Sequence, residues 1–428
     1  MQKLVSKMKT SWFAKASFVF VGIRCFSILG MSWSAFPDTQ TYTVLDFTGV
    51  HTTRGWTLPL LYWIVRPNVA RVAAQFLIAT TAWITVAATF KKRIHHLRVQ
   101  QLAVAGCFLV GVSSTVVGWD LALLSESLSI SLGVLMICAW LAFARSPNGR
   151  HLAILGACTF PFAFIRQGSI PALGLVGLVA LLHGLRYRKF RTWVVAAVIT
   201  LSATSWAVYF SSQNDGILLY NRSQILATRI FPNEQYLAWF EREGLPVSPQ
   251  LKANAAKWNQ SAEAQFAVQG DPGLIAWPLP SFTKAYKKFV LTHPKYALFH
   301  WYENRDDFAA SVPGVSVTTV LPSAIDSTFV AGGGATSVLV LSAISATLVL
   351  FFRPKRQRGD PHLRRFGFAM VALFIPWSIA IWLTVTLDLS RIGVTTAVCL
   401  HLGVLALVCA ALDGAFETSE TADEAPAA

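Results

Sequence analysis

The sequence predicts an all-α polytopic membrane protein with about ten transmembrane helices and one sizeable outward loop domain. Two observations predict this fold class. Of the 428 residues, 54% are hydrophobic and only 13% are charged, whereas soluble domains carry roughly 25% charged residues. Apolar stretches near the length of about 20 residues that crosses a bilayer as a helix recur along the whole chain.

Ten apolar segments qualify as spans, although Pro161 and Pro171 interrupt the fifth and sixth. A bent or broken pair of this kind is tolerated where it lines a cavity. The first segment follows Lys3, Lys7 and Lys9 as a signal peptide would, but it is too long and lacks a small-residue cleavage site, so we expect a retained span. The ten segments are residues 12–35, 69–90, 101–118, 123–144, 151–165, 170–185, 192–211, 335–352, 366–386 and 392–412.

The lysines and arginines predict the orientation of these segments. The formal net charge is +15, but the basic runs lie between apolar segments, which indicates contact with anionic lipid and not with nucleic acid. The basic runs occupy one alternate series of loops, which the positive-inside rule places in the cytoplasm together with both termini. The segments predicted to face outward are 36–68, 119–122, 166–168, 212–334 and 387–391.

This layout divides the chain into four parts. They are an N-terminal transmembrane module at 1–211, an outward loop domain at 212–334, C-terminal transmembrane helices at 335–412 and a disordered acidic tail at 413–428. In the loop domain, residues 236–243 and 282–302 predict short amphipathic helices, and the glycines at 332–334 predict a flexible joint. The six cysteines lie in apolar segments without CxxC spacing, which indicates buried hydrophobic residues.

Candidate functional side chains gather in the first predicted outward loop, 36–68. The stretch Pro37-Asp38-Thr39-Gln40-Thr41-Tyr42 follows the first apolar segment, with Asp46 and the run Arg54-Gly55-Trp56-Thr57-Leu58-Pro59-Leu60 behind it. Ionisable groups are costly to hold at a membrane boundary, so their presence there indicates a functional site.

Further ionisable residues are predicted on the same side. Glu126 lies at the outer end of the fourth segment, where a carboxylate needs a partner or water, although a helix N-terminus alone also favours an acid. Arg166 precedes Gln167, and Arg391 opens the last segment. Guanidinium groups at this depth can bind the phosphate of a lipid. An equally good explanation is that these side chains simply extend to the membrane interface.

Other features of the sequence give less evidence for a functional site. Asp120 and Asp388 also lie on the predicted outer side, where acids and arginines from several loops suggest a single outward cavity, but a solvated position at a helix end is the favoured explanation of these two. The sequence contains no Walker A loop, no dinucleotide-binding GxGxxG, no HExxH and no GxSxG motif. The outward histidines have no metal-ligand spacing, so no metal is indicated.

The pattern Pro37-Asp38-x-x-x-Tyr42 followed by Arg54-Gly55-Trp56-x-x-Pro59-Leu60 resembles the first outward loop of the GT-C superfamily of polyprenyl-phosphate-sugar-dependent glycosyltransferases. Glu126 and the Arg391 turn are similar in position. The likeness covers the first loop and the general transmembrane layout, and hardly covers 212–334. Many members have an Asp-Glu pair here, whereas Asp38 precedes a threonine, which counts against a divalent metal held by paired acids.

The resemblance implies an inverting transfer from a polyprenyl-phosphate sugar to a glycan, lipid or protein acceptor on the outer face of the membrane. The retained basic N-terminus and the lack of an organelle signal predict that this is a bacterial cytoplasmic membrane. Asp38 is then the general base, and Asp46 and Glu126 are second carboxylates that position the acceptor or the sugar. The residues expected to bind the substrates, with the arginines on the phosphate, are Tyr42, Arg54, Arg166, Gln167 and Arg391.

Three alternatives remain open at this point. A polymerase or ligase of lipid-linked glycans shares the outward arginines and the large outer loop. A transporter or flippase without catalysis would be favoured by inverted repeats and paired broken helices, and the presence of only one Pro-interrupted pair in the sequence counts mildly against it. A structural subunit does not need acids clustered on one face.

Overall fold

A computed structural model describes residues 2–52, 54–186, 190–213, 215–312, 314–330, 335–352, 360–384 and 389–423. In these residues the chain is helical, apart from turns and one isolated bridge between Ser34 and Ala122. The all-α prediction is therefore confirmed for the part of the chain that the structure describes. Asp388, the glycines at 332–334, and much of the basic runs at 186–191 and 353–365 lie outside the described residues.

The first half of the chain forms nine helices and two short 3₁₀ turns, at Pro37–Tyr42 and Gln167–Ser169. The helices are α1 (Gln2–Ile28), α2 (Thr57–Ile64), α3 (Asn68–Lys91), α4 (Leu97–Val112), α5 (Ser114–Asp120), α6 (Ser125–Arg145), α7 (Gly149–Ala163), α8 (Ile170–Arg186) and α9 (Phe190–Ser211).

The second half begins with short helices, and long helices return after residue 334. The short ones are α10 (Asp215–Ile225, continued by a π-helical turn at Leu226–Ile230), α11 (Glu234–Arg242), α12 (Pro249–Ala256), α13 (Ala262–Gln269), α14 (Pro272–Ala276), α15 (Leu279–Thr292), α16 (Pro294–Glu303), α17 (Arg305–Ala309) and α18 (Ser323–Asp326). They are followed by α19 (Ala335–Phe352), α20 (Pro361–Thr384), α21 (Leu389–Ile392) and α22 (Val394–Asp423).

Among the described residues, six helices are long and apolar enough to cross a membrane, or seven if α4 and α5, which meet at a 54° bend, form one broken span. The protein is thus an all-α membrane protein, and the predicted count of ten spans is wrong on this measure. The predicted segments 12–35, 151–165 and 335–352 are not among the candidates. At 15 residues, α7 rises only about 23 Å, short of a hydrocarbon core of about 30 Å.

The spans run between two faces that we call the loop face and the basic face. Helices α3, α6, α8 and α22 begin at the loop face, next to the 36–56 loop, and α20 ends there. Their opposite ends define the basic face, where Asp413 of α22 accepts backbone hydrogen bonds from His95 and His96 at 3.0 and 2.8 Å. Close helix contacts hold the bundle, as at Gly367 of α20, where a Cβ atom would lie 2.8 Å from the Gly403 carbonyl oxygen of α22.

The α10–α18 segment packs on the loop face of the bundle. Its predicted amphipathic helix at 236–243 is confirmed as α11, and the predicted stretch 282–302 is two helices, α15 and α16, because Pro294 cannot continue α15. Trp301 Nε1 donates to Ser378 Oγ of α20 at 2.8 Å. Asp326 accepts from the Ser114 backbone N–H at 2.9 Å and from its hydroxyl at 2.6 Å, which satisfies the free N-terminus of α5.

Candidate functional site

The 3₁₀ turn at Pro37–Tyr42 presents Asp38 on the loop face. Pro37 has a backbone already suited to the first position of the turn. The Thr39 hydroxyl oxygen accepts from the Phe36 backbone N–H at 2.8 Å and donates to the Leu123 carbonyl at 3.0 Å. Thr39 therefore anchors the turn to the residues just before α6.

The next part of the loop brings Arg54 towards this turn. Gly55 lies so close to the end of α7 that a Cβ atom would be 1.8 Å from the Phe164 carbonyl oxygen, so only glycine fits there. Trp56 stacks on the Phe164 ring with centroids 5.3 Å apart. Arg54 Nε donates to the Thr41 hydroxyl at 3.0 Å, and its guanidinium lies 5.1 Å from the centre of the Tyr42 ring.

Helix α6 contributes Glu126, the second residue of the helix, whose side chain is 2% exposed. Its neighbour Ser125 accepts a hydrogen bond from the Tyr42 hydroxyl at 3.1 Å, which ties the 3₁₀ turn to the start of α6. The helix dipole favours a carboxylate at this position, as expected for an acid at a helix N-terminus. Glu126 also forms ion pairs with specific arginines.

Arg166 and Arg391 come from two further regions. The Ser169 hydroxyl lies 2.6 Å from the Arg166 carbonyl oxygen, and Trp377 Nε1 donates to the Gly168 carbonyl at 2.7 Å, so the turn before α8 is held in place. Arg391 lies in α21, where Ser311 Oγ donates to the Ser390 carbonyl at 2.5 Å.

Five of the predicted residues form one connected group of ion pairs, which we call the polar cluster: Asp38, Arg54, Glu126, Arg166 and Arg391. Asp38 Oδ2 lies 3.0 Å from Arg54 Nη2 and 3.1 Å from Arg391 Nη2. Glu126 Oε1 lies 3.2 Å from Arg166 Nη1 and 3.3 Å from Arg391 Nε. Arg391 therefore bridges the two carboxylates, and the cluster contains three guanidinium groups for two carboxylates.

The side chains of the polar cluster differ in their exposure to solvent. The side chains of Asp38, Arg54 and Arg391 are 32%, 28% and 22% exposed, whereas those of Arg166 and Glu126 are 12% and 2% exposed. Glu126 Oε2 is buried and makes no hydrogen bond to the described residues. Among the described residues, the cluster thus has an exposed side, where two arginines flank Asp38, and an inner carboxylate with one oxygen that accepts no hydrogen bond.

Charge and burial set the protonation states in this loop. Partial burial opposes ionisation of Asp38, but Arg54 and Arg391 outweigh it and lower the pKa of the carboxyl. Burial raises the pKa of Tyr42, which stays a neutral phenol at physiological pH. An anionic ligand that draws the arginines away from Asp38 would raise the basicity of its carboxylate.

Asp46 and Gln167 do not join the polar cluster in this structure. The Asp46 carboxylate accepts from the Thr48 backbone N–H at 2.7 Å, from the Thr48 hydroxyl at 2.6 Å and from the His51 backbone N–H at 2.8 Å. Burial of Asp46 opposes ionisation, but these bonds lower its pKa to about 2. Asp46 therefore shapes its own loop, and Gln167 is exposed on the turn beside Arg166.

A second polar group near the site was missed by the sequence reasoning. Arg24 of α1 is ion-paired with Asp120 of α5, and the Ser127 hydroxyl donates to the same carboxylate at 2.5 Å. Asp120 is 1% exposed, so its explanation as a solvated helix-end residue is wrong. A lone arginine inside the first apolar segment was the available signal, because such a charge needs an intramembrane partner.

The arrangement can hold an anion beside a carboxylate. In the described part of the chain, no group of three or more His, Cys, Asp or Glu side chains could hold a metal ion. The chain matches no protein-family model, and the comparison with curated proteins finds no relative. The chemistry of the site is therefore argued from its own geometry.

Proposed function

We propose that this protein is a GT-C-type membrane glycosyltransferase that moves a sugar from a polyprenyl-phosphate donor to an acceptor hydroxyl, with inversion. The observation that carries the proposal is the polar cluster, in which Arg54 and Arg391 share the exposed Asp38 carboxylate while Arg166 and Arg391 hold Glu126 beside it. A phosphate monoester or diester is an anion that guanidinium groups bind with directed, charge-assisted hydrogen bonds.

The proposed reaction uses an exchange of ion pairs. When the donor binds, Arg54 and Arg391 turn from Asp38 to the donor phosphate, and the Asp38 carboxylate is released as a base. It accepts the proton of the acceptor hydroxyl while that oxygen bonds to the anomeric carbon. The bond from that carbon to the phosphate oxygen breaks, and the lipid phosphate leaves with the electron pair, stabilised by the arginines.

Glu126 has a different proposed role. Its Oε1 is held by Arg166 and Arg391, and its Oε2 is buried without a hydrogen bond to the described residues. Such an oxygen accepts a hydrogen bond from a hydroxyl of the sugar or the acceptor at little cost, because its desolvation is already complete. The carboxylate oxygens of Asp46 accept hydrogen bonds within its own loop, so we assign Asp46 a structural role.

The base is tested by comparing Asp38→Asn with Asp46→Asn. Asp38→Asn keeps the side-chain size and removes the basicity, so we expect transfer from a polyprenyl-phosphate sugar to fall by about 10²–10⁴-fold, with expression and donor binding retained. Asp46→Asn is the matched control and should change transfer little. Normal turnover in Asp38→Asn with loss in Asp46→Asn would move the base to Asp46, and normal turnover in both would refute catalysis by this loop.

The proposed orientation places the polar cluster outside a bacterial cytoplasmic membrane, with both termini inside. An engineered cysteine at the exposed Asn259, in a chain without its six native cysteines, should react with an impermeant maleimide in intact cells. A cysteine at Arg150, on the basic face, should react only after permeabilisation. The reverse pattern would place the site in the cytoplasm.

A transporter or flippase is the second candidate, because α4 and α5 form a broken helix pair and an ion pair lies buried beside it. Two assays of the purified protein distinguish these candidates. In detergent, an enzyme forms glycosylated acceptor, whereas a transporter forms no product. In liposomes, a transporter moves the lipid-linked sugar across the bilayer. A glycan polymerase or ligase would require a lipid-linked oligosaccharide in place of a monosaccharide donor.

A further inference from the structure

An apolar cleft of about 400 Å³ opens between α6, α8, α20 and α22, and no residue of the polar cluster lines it. Its walls are almost entirely hydrocarbon and aromatic, and include Trp140, Leu173, Val179, Phe366, Met370 and Trp377. Along α20 the lining runs from His362 to Trp377, a rise of about 23 Å. The cleft is therefore long and narrow, and it has the composition of a site for a hydrocarbon chain.

The polar lining residues are unevenly distributed along this cleft. His183, His362 and Arg365 lie at its basic-face end. At the end nearer the loop face, the described lining contains one polar aliphatic side chain, Thr396. A ligand that matches this distribution has an anionic head at the basic face and an apolar chain directed towards the loop face.

We infer that the cleft binds an acyl chain of an acidic phospholipid from the leaflet on the basic face, with the lipid phosphate at Arg365. Arg365 is exposed at the cleft mouth, where a guanidinium and a phosphate form charge-assisted hydrogen bonds. An acidic lipid is preferred to a zwitterionic one because its headgroup has no cationic amine to offset the basic surroundings.

The same distribution argues against the cleft as the place of a lipid whose phosphate lies at the polar cluster. Such a lipid would place its polar head at the loop face and its chain end among His183, His362 and Arg365. Burying these polar side chains against hydrocarbon is unfavourable. The inference therefore concerns the opposite leaflet and does not rest on the proposed reaction.

Two matched pairs of variants test it. Val179 and Leu178 are neighbours on α8 that are 53% and 48% exposed, but only Val179 lines the cleft. Val179→Trp fills the cleft, and Leu178→Trp adds the same bulk on a surface outside it. Arg365→Gln removes the charge at the mouth, and Arg150→Gln removes an exposed charge elsewhere on the basic face.

The measurement is native mass spectrometry of the purified protein with dipalmitoyl phosphatidylglycerol or phosphatidylcholine. We expect the wild type, Leu178→Trp and Arg150→Gln to retain one phosphatidylglycerol, and Val179→Trp to retain none. Arg365→Gln should bind about tenfold more weakly, as expected for one lost charge-assisted contact. Thermal unfolding of each variant verifies that Val179→Trp is folded, and the Arg365→Gln comparison does not depend on packing.

Three results would overturn the inference. Equal retention of phosphatidylcholine would mean that the cleft holds bulk lipid without selecting a headgroup. Undiminished phosphatidylglycerol binding in Val179→Trp would place the lipid elsewhere. Binding that depends on Arg391 and is unchanged in Arg365→Gln would assign the chain to a lipid held from the loop face.

Discussion

Two arginine–carboxylate groups lie in the loop-face half of the helix bundle, and they differ in exposure and in charge balance. In the buried pair, Arg24 and Asp120 are 0% and 1% exposed, and one cation faces one acid. In the polar cluster, three arginines face two acids and the outer side chains are 22–32% exposed. The same chemical groups therefore form a closed structural contact in one place and a partly exposed network in the other, where we propose that an anion binds.

The surroundings of the buried pair explain why it is closed. Arg24 Nη1 donates to the Gly111 carbonyl at 2.5 Å, and its guanidinium lies 5.1 Å from the centre of the Phe76 ring. Ser127 occupies the second oxygen of Asp120. The pair joins α1, α4, α5 and α6, and Ser127 directly follows Glu126. It thus fixes the start of α6, on which the polar cluster depends.

The largest stability effect should come from breaking the buried pair. Asp120→Ala leaves Arg24 buried without its counter-charge, so we expect a loss of about 3–5 kcal/mol in the free energy of unfolding. Asp38→Asn, in the open cluster, should change it far less. Unfolding in detergent measures both, and the double variant Arg24→Met/Asp120→Leu should recover most of the loss. Equal stability of Asp120→Ala and wild type would make the pair dispensable.

The next effect concerns Arg391, which bridges both acids of the cluster. Arg391→Ala should raise the KM for the lipid donor by about 10–100-fold, the range for losing a hydrogen bond to a charged group. Arg391→Lys should recover only part, since lysine lacks the planar fork. The exposed Arg66, on the same face, provides the control Arg66→Ala. An unchanged KM in both Arg391 variants would show that this arginine only extends to the interface.

The smallest effect is a change in pH dependence. Burial opposes ionisation of Asp38, but Arg54 and Arg391 outweigh it and lower its pKa, so the carboxylate that we propose as the base is ionised throughout the neutral range. Removing one cation in Arg54→Gln raises that pKa, and the acid limb of the transfer rate should therefore move to higher pH. The pH profile of kcat/KM measures this. A profile identical to that of the wild type would mean that Asp38 does not titrate in the reaction.

Part of the candidate site was predictable from sequence because boundary charges are rare and costly in a membrane protein. Asp38, Arg54, Glu126, Arg166 and Arg391 all carry that signal, and the structure brings them together. Asp46 carries it too, yet its oxygens are bound within its own loop. The distinction depends on backbone N–H groups at Thr48 and His51 that composition does not describe.

By itself, the sequence determined that this is a helical membrane protein, because long apolar stretches must satisfy their backbone polar groups internally in lipid. It also determined which ionisable residues lie near the ends of those stretches. The number of spans depended on where each helix begins and ends, as the 15 residues of α7 illustrate. Only the tertiary structure decided which charges are partners. Asp38 and Arg391 are 353 residues apart, and the pairing of Arg24 with Asp120 follows from helix packing and not from local sequence.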